Sequence, residues 1–458
     1  MSQGSQVLLL GAGFVCEPAV QVLSNAGVHV TVACRTLAAA QSLTKFLANT
    51  TAIELDAGDH EALSAAVGKV DLVVSLIPYT LHPAVVKAAI KHKKPVVTTS
   101  YISPALWELD QESKDAGITV LNEIGLDPGI DHLYAVKTID EVHRAGGKIT
   151  SFTSYCGGLP APANANNPLG YKFSWSPRGG LLALLNPGQW YQDGQVAKVE
   201  GKDLMASAKP QSISEDFELV GYPNRDSVSF REFYAIPEAR TVFRGTLRYS
   251  GYPEIIRTLI SIGYFSQDRL ISLSRDNETP PTWLQLTAQL LNLEVTATQS
   301  QVRDAISSKA QFLESNELSK VLSGLEWIGI LNGIEPVAPR DTPLDTLCEV
   351  LQGKMAYADG ERDMVVLQHV FEIEHADGRE EKRSSTLVEY GEPIAPGYRS
   401  AMAKLVGLPC AVGVLAVLEG KISLKGMVAP WSNPAIAAYL TDQLRTKHAI
   451  ELTEEVIG

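Results

Sequence analysis

The sequence predicts an α/β protein that opens with a doubly wound parallel sheet. Two observations carry this. Over the first 125 residues, short β-branched apolar runs alternate with stretches of helical spacing, and a glycine turn, GAG, joins the first such pair. Parallel strands need crossover helices, and those helices must bury their apolar stripes against the sheet, so the alternation closes as a layered α/β unit.

The elements follow in order. Gln6 to Leu10 is the first strand, and Phe14 to Ala26 is a helix closed by Gly27. VHVTVAC, residues 28 to 34, is the second strand, followed by helical spacing from Thr36 to Ala48. AIELD is a third strand leading to a helix capped by Asp59, whose short carboxylate suits the free amides of a first turn. DLVVSLI, residues 71 to 77, reads as a buried strand, with PAVVKAAIKHK helical behind it. PVVTTS and ITVLNEI bring the strands to six, separated by a helical SPALWELDQESKDAG.

The glycine turn sits where a dinucleotide would bind, after a strand and before a helix. Gly11 permits the tight turn, and Gly13 lets the amides of Phe14 and Val15 approach a pyrophosphate at the helix N-terminus. Cys16 occupies the position of a third glycine, where a small side chain suffices, and it reads as a packed thiol; Pro18 falls in the first turn, where a missing amide hydrogen costs least. The second strand ends in Cys34, Arg35 and Thr36, with no carboxylate to receive a ribose hydroxyl or repel a 2'-phosphate. Arg35 offers a planar guanidinium and Thr36 a hydroxyl, which favours NADP over NAD; the alternative for Arg35 is a solvated surface residue. Further cofactor contacts are expected at the carboxyl ends of later strands: Asp56, Ser75, Leu76, Ile77, Val97, Thr98 and Ser100, then Leu126, Asp127 and Pro128. Asp56 reads equally as a turn residue, and His82 as a structural histidine at the start of a helix.

Composition limits the rest. The 458 residues suffice for two or three domains, and a net charge of -13 opposes general attraction to nucleic acid or anionic membrane. No apolar run long enough to span a bilayer and no signal-like N-terminus is read, so a soluble cytoplasmic chain is expected. Cys16, Cys34, Cys156, Cys348 and Cys410 are scattered without a CxxC pair, which suggests reduced thiols and no metal site.

The segments VACRTL, SLIPYT, VVTTSY, NEIGLDPGIDH, YCGGLPAP, NPLGYKFSWSPRG, YPNRDS and RGTLRY together resemble the saccharopine reductase family, the NADP-dependent, glutamate-forming saccharopine dehydrogenases of lysine biosynthesis. The resemblance implies a stand-alone fungal-type enzyme, since 458 residues leave no room for the reductase half fused to it in plants and animals. It also implies a homodimer with a Rossmann domain (residues 1–131 and about 398–458), a central α+β mixed-sheet domain for substrate and dimerisation (about 132–270 and 346–397) and a small all-helical domain (about 271–345). The residues fit that division. Glycine, proline and aromatic residues between 132 and 270 suggest strands and long loops, 271–345 has helical spacing, and a hairpin turns at Asp377 and Gly378. SAMAKLVGLPCAVGVLAVLEG reads as a buried helix against the nucleotide domain.

The implied reaction joins L-2-aminoadipate 6-semialdehyde to L-glutamate as an imine and reduces it with NADPH to saccharopine. A tricarboxylate substrate needs anion receptors, and Arg225 and Arg244 are the candidates. Asp127 follows the last Rossmann strand and suits contact with the substrate amine or proton transfer, with turn-making as its rival role. Ser100 and Tyr101 end a strand facing the cleft, Cys156 lies beside flexible glycines where substrate approaches backbone, and Trp175 suits a pocket wall. Asp127, Tyr101 and Cys156 are the candidate catalytic set, for substrate contact or proton transfer, and no single general acid or base stands out. His132 reads as a structural hydrogen-bonding residue. Rival readings are another NADP-dependent imine reductase, such as a carboxynorspermidine synthase-like enzyme, and a non-enzymatic NADPH sensor.

Overall fold

Alternate residues of the first strand serve two different cores. Val7 and Leu9 join one cluster, while Leu8 and Leu10 join another on the opposite face. This two-sided burial explains the unbroken apolar runs at the start of the chain. The computed structural model describes residues 4–214, 216–395 and 399–458. Its first sheet is wholly parallel, in the order Gly426–Val428, Thr119–Leu121, Val96–Thr98, Leu72–Ser75, Gln6–Leu10, His29–Cys34, Thr50–Glu54. The chain reverses its winding between Gln6–Leu10 and Leu72–Ser75, and this switch point opens a crevice at their carboxyl ends.

Three sequence readings of this unit need correction. The sheet has 7 strands rather than six, because the short Gly426–Val428 returns from the far end of the chain. The helix expected across 103–117 is two, Pro104–Trp107 and Asp110–Asp115. The apolar C-terminal segment forms the helix Ala401–Leu418, which is long and apolar enough to cross a membrane, contrary to the reading that no such run exists; 67% of it is buried within the protein, as in a core helix. It crosses the first helix, Glu17–Asn25, closely: a Cβ on Gly407 would lie 2.9 Å from the Val15 carbonyl oxygen. Cys16 is fully buried in the same cluster as Cys410, and burial pushes its thiol up to about 12, so it packs and does not react.

The second sheet is mixed. Its main path is Lys209–Gln211, Leu219–Pro223, Thr241–Tyr249, Lys148–Pro160, Asp363–Glu374, Glu380–Tyr390, Thr453–Val456, and only the Thr241–Tyr249 and Lys148–Pro160 pair is parallel. The last two long strands form the expected hairpin around Asp377 and Gly378. Thr453–Val456 lies in this sheet, although the sequence reading put all of 398–458 with the first. The helix Ile130–Arg144, read only as part of a loop-rich stretch, leads from the first sheet into the second. Helices Tyr252–Ile262, Trp283–Leu290, Gln299–Lys309, Ser315–Ile328 and Pro343–Lys354 share a separate core around Leu259, Leu286, Ile306, Leu325 and Leu347. The helical region thus begins before 271 and runs past 345. Thr282 with Gln285 and Thr298 with Gln301 close capping boxes that fix two of its helix starts.

Candidate active site

The glycine turn has the form of a phosphate cradle. Gly11 has φ +116°, and a Cβ there would meet the Leu76 carbonyl oxygen at 2.7 Å, so only glycine fits. A Cβ on Gly13 would point into open space; Phe14 beside it is exposed and Val15 half-buried. One strand on, Arg35 is exposed and forms no ion pair among the described residues. Thr36 caps the helix Leu37–Thr44 through backbone position alone, leaving its hydroxyl without a capping bond, and Cys34 is half-buried beside it. These groups fit an NADP 2'-phosphate. Asp56 is exposed and accepts from the Gly58 amide at 2.8 Å, the geometry of a turn.

The next strand ends are tied together by His82. Its Nδ1 bonds Ser75 Oγ at 2.9 Å, and its Nε2 approaches Ser100 Oγ at 3.0 Å and Thr98 Oγ1 at 3.1 Å. Burial lowers His82 to about 4, so the ring is neutral and brackets two strands. The hydroxyls of Ser75, Thr98 and Ser100 are thereby engaged within the protein. Val97 and Leu126 are buried in the core and offer a cofactor only their backbone, while Leu76 and Ile77 are half-buried at the strand end.

Beyond this bracket, helix Ile130–Arg144 and strand Thr241–Tyr249 bring opposite charges together. Arg244 is 2% exposed, and its Nη2 donates to Tyr101 at 2.6 Å, to Asp127 and to Asp131 at 2.7 Å. Tyr101 donates to Asp127 Oδ1 at 2.5 Å, and Asn224 Nδ2 approaches Oδ2 at 3.5 Å. The Gly129 amide donates to Asp131, and Pro128 lends its carbonyl to the Gly125 amide in the same turn. Aromatic faces of Tyr101 and Phe230 lie 5.2 and 4.4 Å from the guanidinium carbon. Burial raises the Asp127 carboxyl, with Asp131 adding to the effect, and Arg244 and the Tyr101 hydroxyl offset it only in part. Burial likewise holds the Tyr101 phenol well above its ordinary value. Behind Asp131, His132 bonds Tyr234 at 2.7 Å and lies 2.9 Å from Glu123. Burial alone would raise Glu123, but His132, the Ile102 amide and Trp431 together hold it below the ordinary range.

Arg225 stands apart at the edge of this cluster. It is exposed, has φ +54°, and places its guanidinium 5.8 Å from the Tyr101 ring with no ion pair among the described residues. Cys156 is buried near Asp127, Asp131, Arg244 and Arg248, and burial holds its thiol protonated. Trp175 is half-buried against the core shared by the two sheets. Arg248 was not singled out by sequence. It is 6% exposed and ringed by Tyr171, Tyr252 and Tyr222 at 4.7, 5.5 and 6.0 Å. Its Nη1 bonds only the Leu247 carbonyl, its Nε has no partner, and no carboxylate pairs with it among the described residues. A buried cation without an internal counter-ion is costly unless an external anion arrives.

Residues 7–121 match the saccharopine dehydrogenase NADP binding domain and residues 125–450 the saccharopine dehydrogenase C-terminal domain. The chain belongs to the saccharopine dehydrogenase family. It is 53% identical over 452 residues to saccharopine dehydrogenase [NADP(+), L-glutamate-forming] of Pyricularia oryzae, covering 99% of both chains. The Saccharomyces cerevisiae protein of the same name is 51% identical over 456 residues, covering 99% of this chain and 100% of that one. The bovine mitochondrial alpha-aminoadipic semialdehyde synthase is 38% identical, with all of this chain matching 48% of that protein. Among solved structures, apo saccharopine dehydrogenase (L-Glu forming) from Saccharomyces cerevisiae superposes with a TM-score of 0.88 at 50% identity, covering 99% of this chain and 100% of the other.

Set against this family member's structure, the sequence reading gathered Tyr101, Asp127, Cys156, Arg225 and Arg244 into one neighbourhood. It missed Asp131, Glu123, Asn224, Tyr234 and Arg248. Arg248 was within reach, because it lies in the quoted RGTLRY and strand alternation puts it on the face of Arg244. The pairing of Arg244 with two carboxylates was not legible, since it depends on a crossing of distant segments.

Proposed function

We propose that the cleft catalyses NADPH-dependent reduction of the imine formed from L-2-aminoadipate 6-semialdehyde and L-glutamate, giving L-saccharopine, and the reverse oxidation. Identity near one half over essentially the whole chain to proteins of that activity supports the reaction; the Asp127, Tyr101 and Arg244 cluster supplies its site. The chain is an NADP-dependent oxidoreductase acting on a CH–NH group, in lysine metabolism.

Gly11, Gly13 and the amides after them would hold the pyrophosphate, and Arg35 with Thr36 the 2'-phosphate. When bound, NADPH supplies the hydride. Asp127 uses Oδ1 for Tyr101 and Arg244, which leaves Oδ2, approached by Asn224 at 3.5 Å, as the oxygen for the reacting nitrogen. Its raised basicity lets it take a proton from the attacking amine and return one to the product nitrogen. Tyr101 stays protonated, its one hydroxyl hydrogen holding Asp127 Oδ1, and solvent water supplies the proton that leaves with the carbinolamine oxygen. Among the described residues the three carboxylates Glu123, Asp127 and Asp131 outnumber the one guanidinium, Arg244, that pairs with two of them, so the cluster favours a positively charged nitrogen. Arg225 at the rim and Arg248 in its tyrosine cage receive substrate carboxylates, and the buried Cys156 and Trp175 shape the space between. Homodimerisation and a cytoplasmic location belong to the same proposal, the first supported by the family resemblance and measurable by light scattering.

Mixing the protein with saccharopine and NADP+ should produce NADPH absorbance, and NAD+ should serve poorly; no signal with NADP+ would remove the proposal. Arg35→Ala should weaken NADPH binding tenfold to hundredfold, the loss of a charged hydrogen bond of about 1.5 to 3 kcal/mol. NADH binding should be unchanged, and equal losses would rule out the 2'-phosphate contact. Asp127→Asn should lower kcat about a hundredfold without abolishing turnover. Because the folded environment raises the Asp127 carboxyl, the wild-type rate should fall with acidity above the ordinary carboxylate range, and this limb should vanish in the variant. An unchanged acid limb would exclude Asp127 as the titrating base.

A further inference from the structure

Arg244 is the first member of a polar row that crosses the second sheet. The register sets Arg244 beside Ser154, Ser154 beside His369, and His369 beside Ser385. Directly paired residues share one face of a sheet, so the side chains form a line across four strands. The line is buried: Ser154 is 3% exposed, and His369 and Ser385 are 0% exposed. Three of its four members have polar atoms without a partner among the described residues, namely both ring nitrogens of His369, Ser385 Oγ and Arg244 Nε. The rings of Phe152 and Phe371 flank His369, with centroids at 5.5 and 5.9 Å. An apolar slot of that kind would be filled more cheaply by leucine than by an unsatisfied imidazole. Buried polar groups that lack protein partners are the usual holders of internal water.

We propose that Ser385, His369 and Ser154 form a buried, water-bridged support that fixes the Arg244 guanidinium from behind, making His369 a positioning residue for the reaction. A neutral imidazole has one donor and one acceptor, so it can accept a bridge from the Arg244 side and give one to the Ser385 side. Burial and the nearby Arg244 and His132 charges push His369 down to about 3, which keeps the ring in that neutral form. Fixing the guanidinium also fixes Tyr101 and Asp127, which share its Nη2. The inference rests on the proposed activity, so wild-type turnover of saccharopine with NADP+ is established first, and failure there concerns the activity alone.

The test compares His369→Leu with His369→Gln, alongside Ser385→Ala. If the row is a polar support, Gln keeps a donor and an acceptor and should retain most of kcat, while Leu should lower it roughly tenfold with the KM for NADP+ unchanged. If His369 only packs, Leu should match or exceed Gln, and that order would overturn the proposal. Ser385→Ala conserves volume and guards against misfolding of the histidine variants. It should lower kcat severalfold and reduce the Tm; an unchanged kcat with a raised Tm would show an isolated hydroxyl and overturn the support.

Discussion

Replacing Arg248 with methionine should raise the KM for saccharopine about a hundredfold while leaving the protein at least as stable. The two halves of this expectation have one cause. Arg248 is buried among Tyr171, Tyr222 and Tyr252 with no carboxylate partner among the described residues, so its charge is uncompensated until an anion binds. Removing it orphans no charge and withdraws only the bond to the Leu247 carbonyl, and a flexible apolar side chain of similar length fills the space without the desolvation penalty. Losing a charged hydrogen bond to substrate costs about 1.5 to 3 kcal/mol, which sets the scale of the KM change. Lysine should not restore it, since a point charge cannot reproduce a planar fork inside an aromatic cage. Steady-state kinetics and thermal unfolding measure both halves; an unchanged KM would remove Arg248 from the substrate site.

Arg244→Met should behave in the opposite way, although the two arginines lie four residues apart on one strand face. Its loss leaves Asp127 and Asp131 packed together without their cation, and breaking a buried pair of this kind costs about 3 to 5 kcal/mol. The variant should therefore unfold at markedly lower denaturant concentration, with turnover largely lost because Tyr101 and Asp127 are no longer aligned. Adding Asp131→Asn should recover part of the stability by removing one orphaned charge, without recovering activity. A single Arg244→Met variant as stable as wild type would show that the carboxylates do not depend on it.

Much of this protein is local and was legible in the sequence. The parallel sheet, the glycine turn, the capping role of Asp59 and the choice of Arg35 over a carboxylate each follow from neighbours within one or two elements. Side-chain periodicity and turn chemistry act over such short spans, so they can be read along the chain. The seventh strand, Gly426–Val428, was missed because three residues carry no periodicity and their partner, Thr119–Leu121, lies far back in the chain. The apolar helix Ala401–Leu418 was legible as a buried helix against the nucleotide domain, while its membrane-spanning length and its crossing of Glu17–Asn25 emerge only in the folded chain.

The sequence by itself determined the fold class, the cofactor and which segments hold charged residues. Tertiary structure alone decided what those charges do: Arg244 is held by Asp127 and Asp131, His82 binds the ends of two strands, and Arg248 has no carboxylate partner among the described residues. The reason is physical. The strength of a charge depends on its distance from opposite charges and from water, and only the folded chain sets either one.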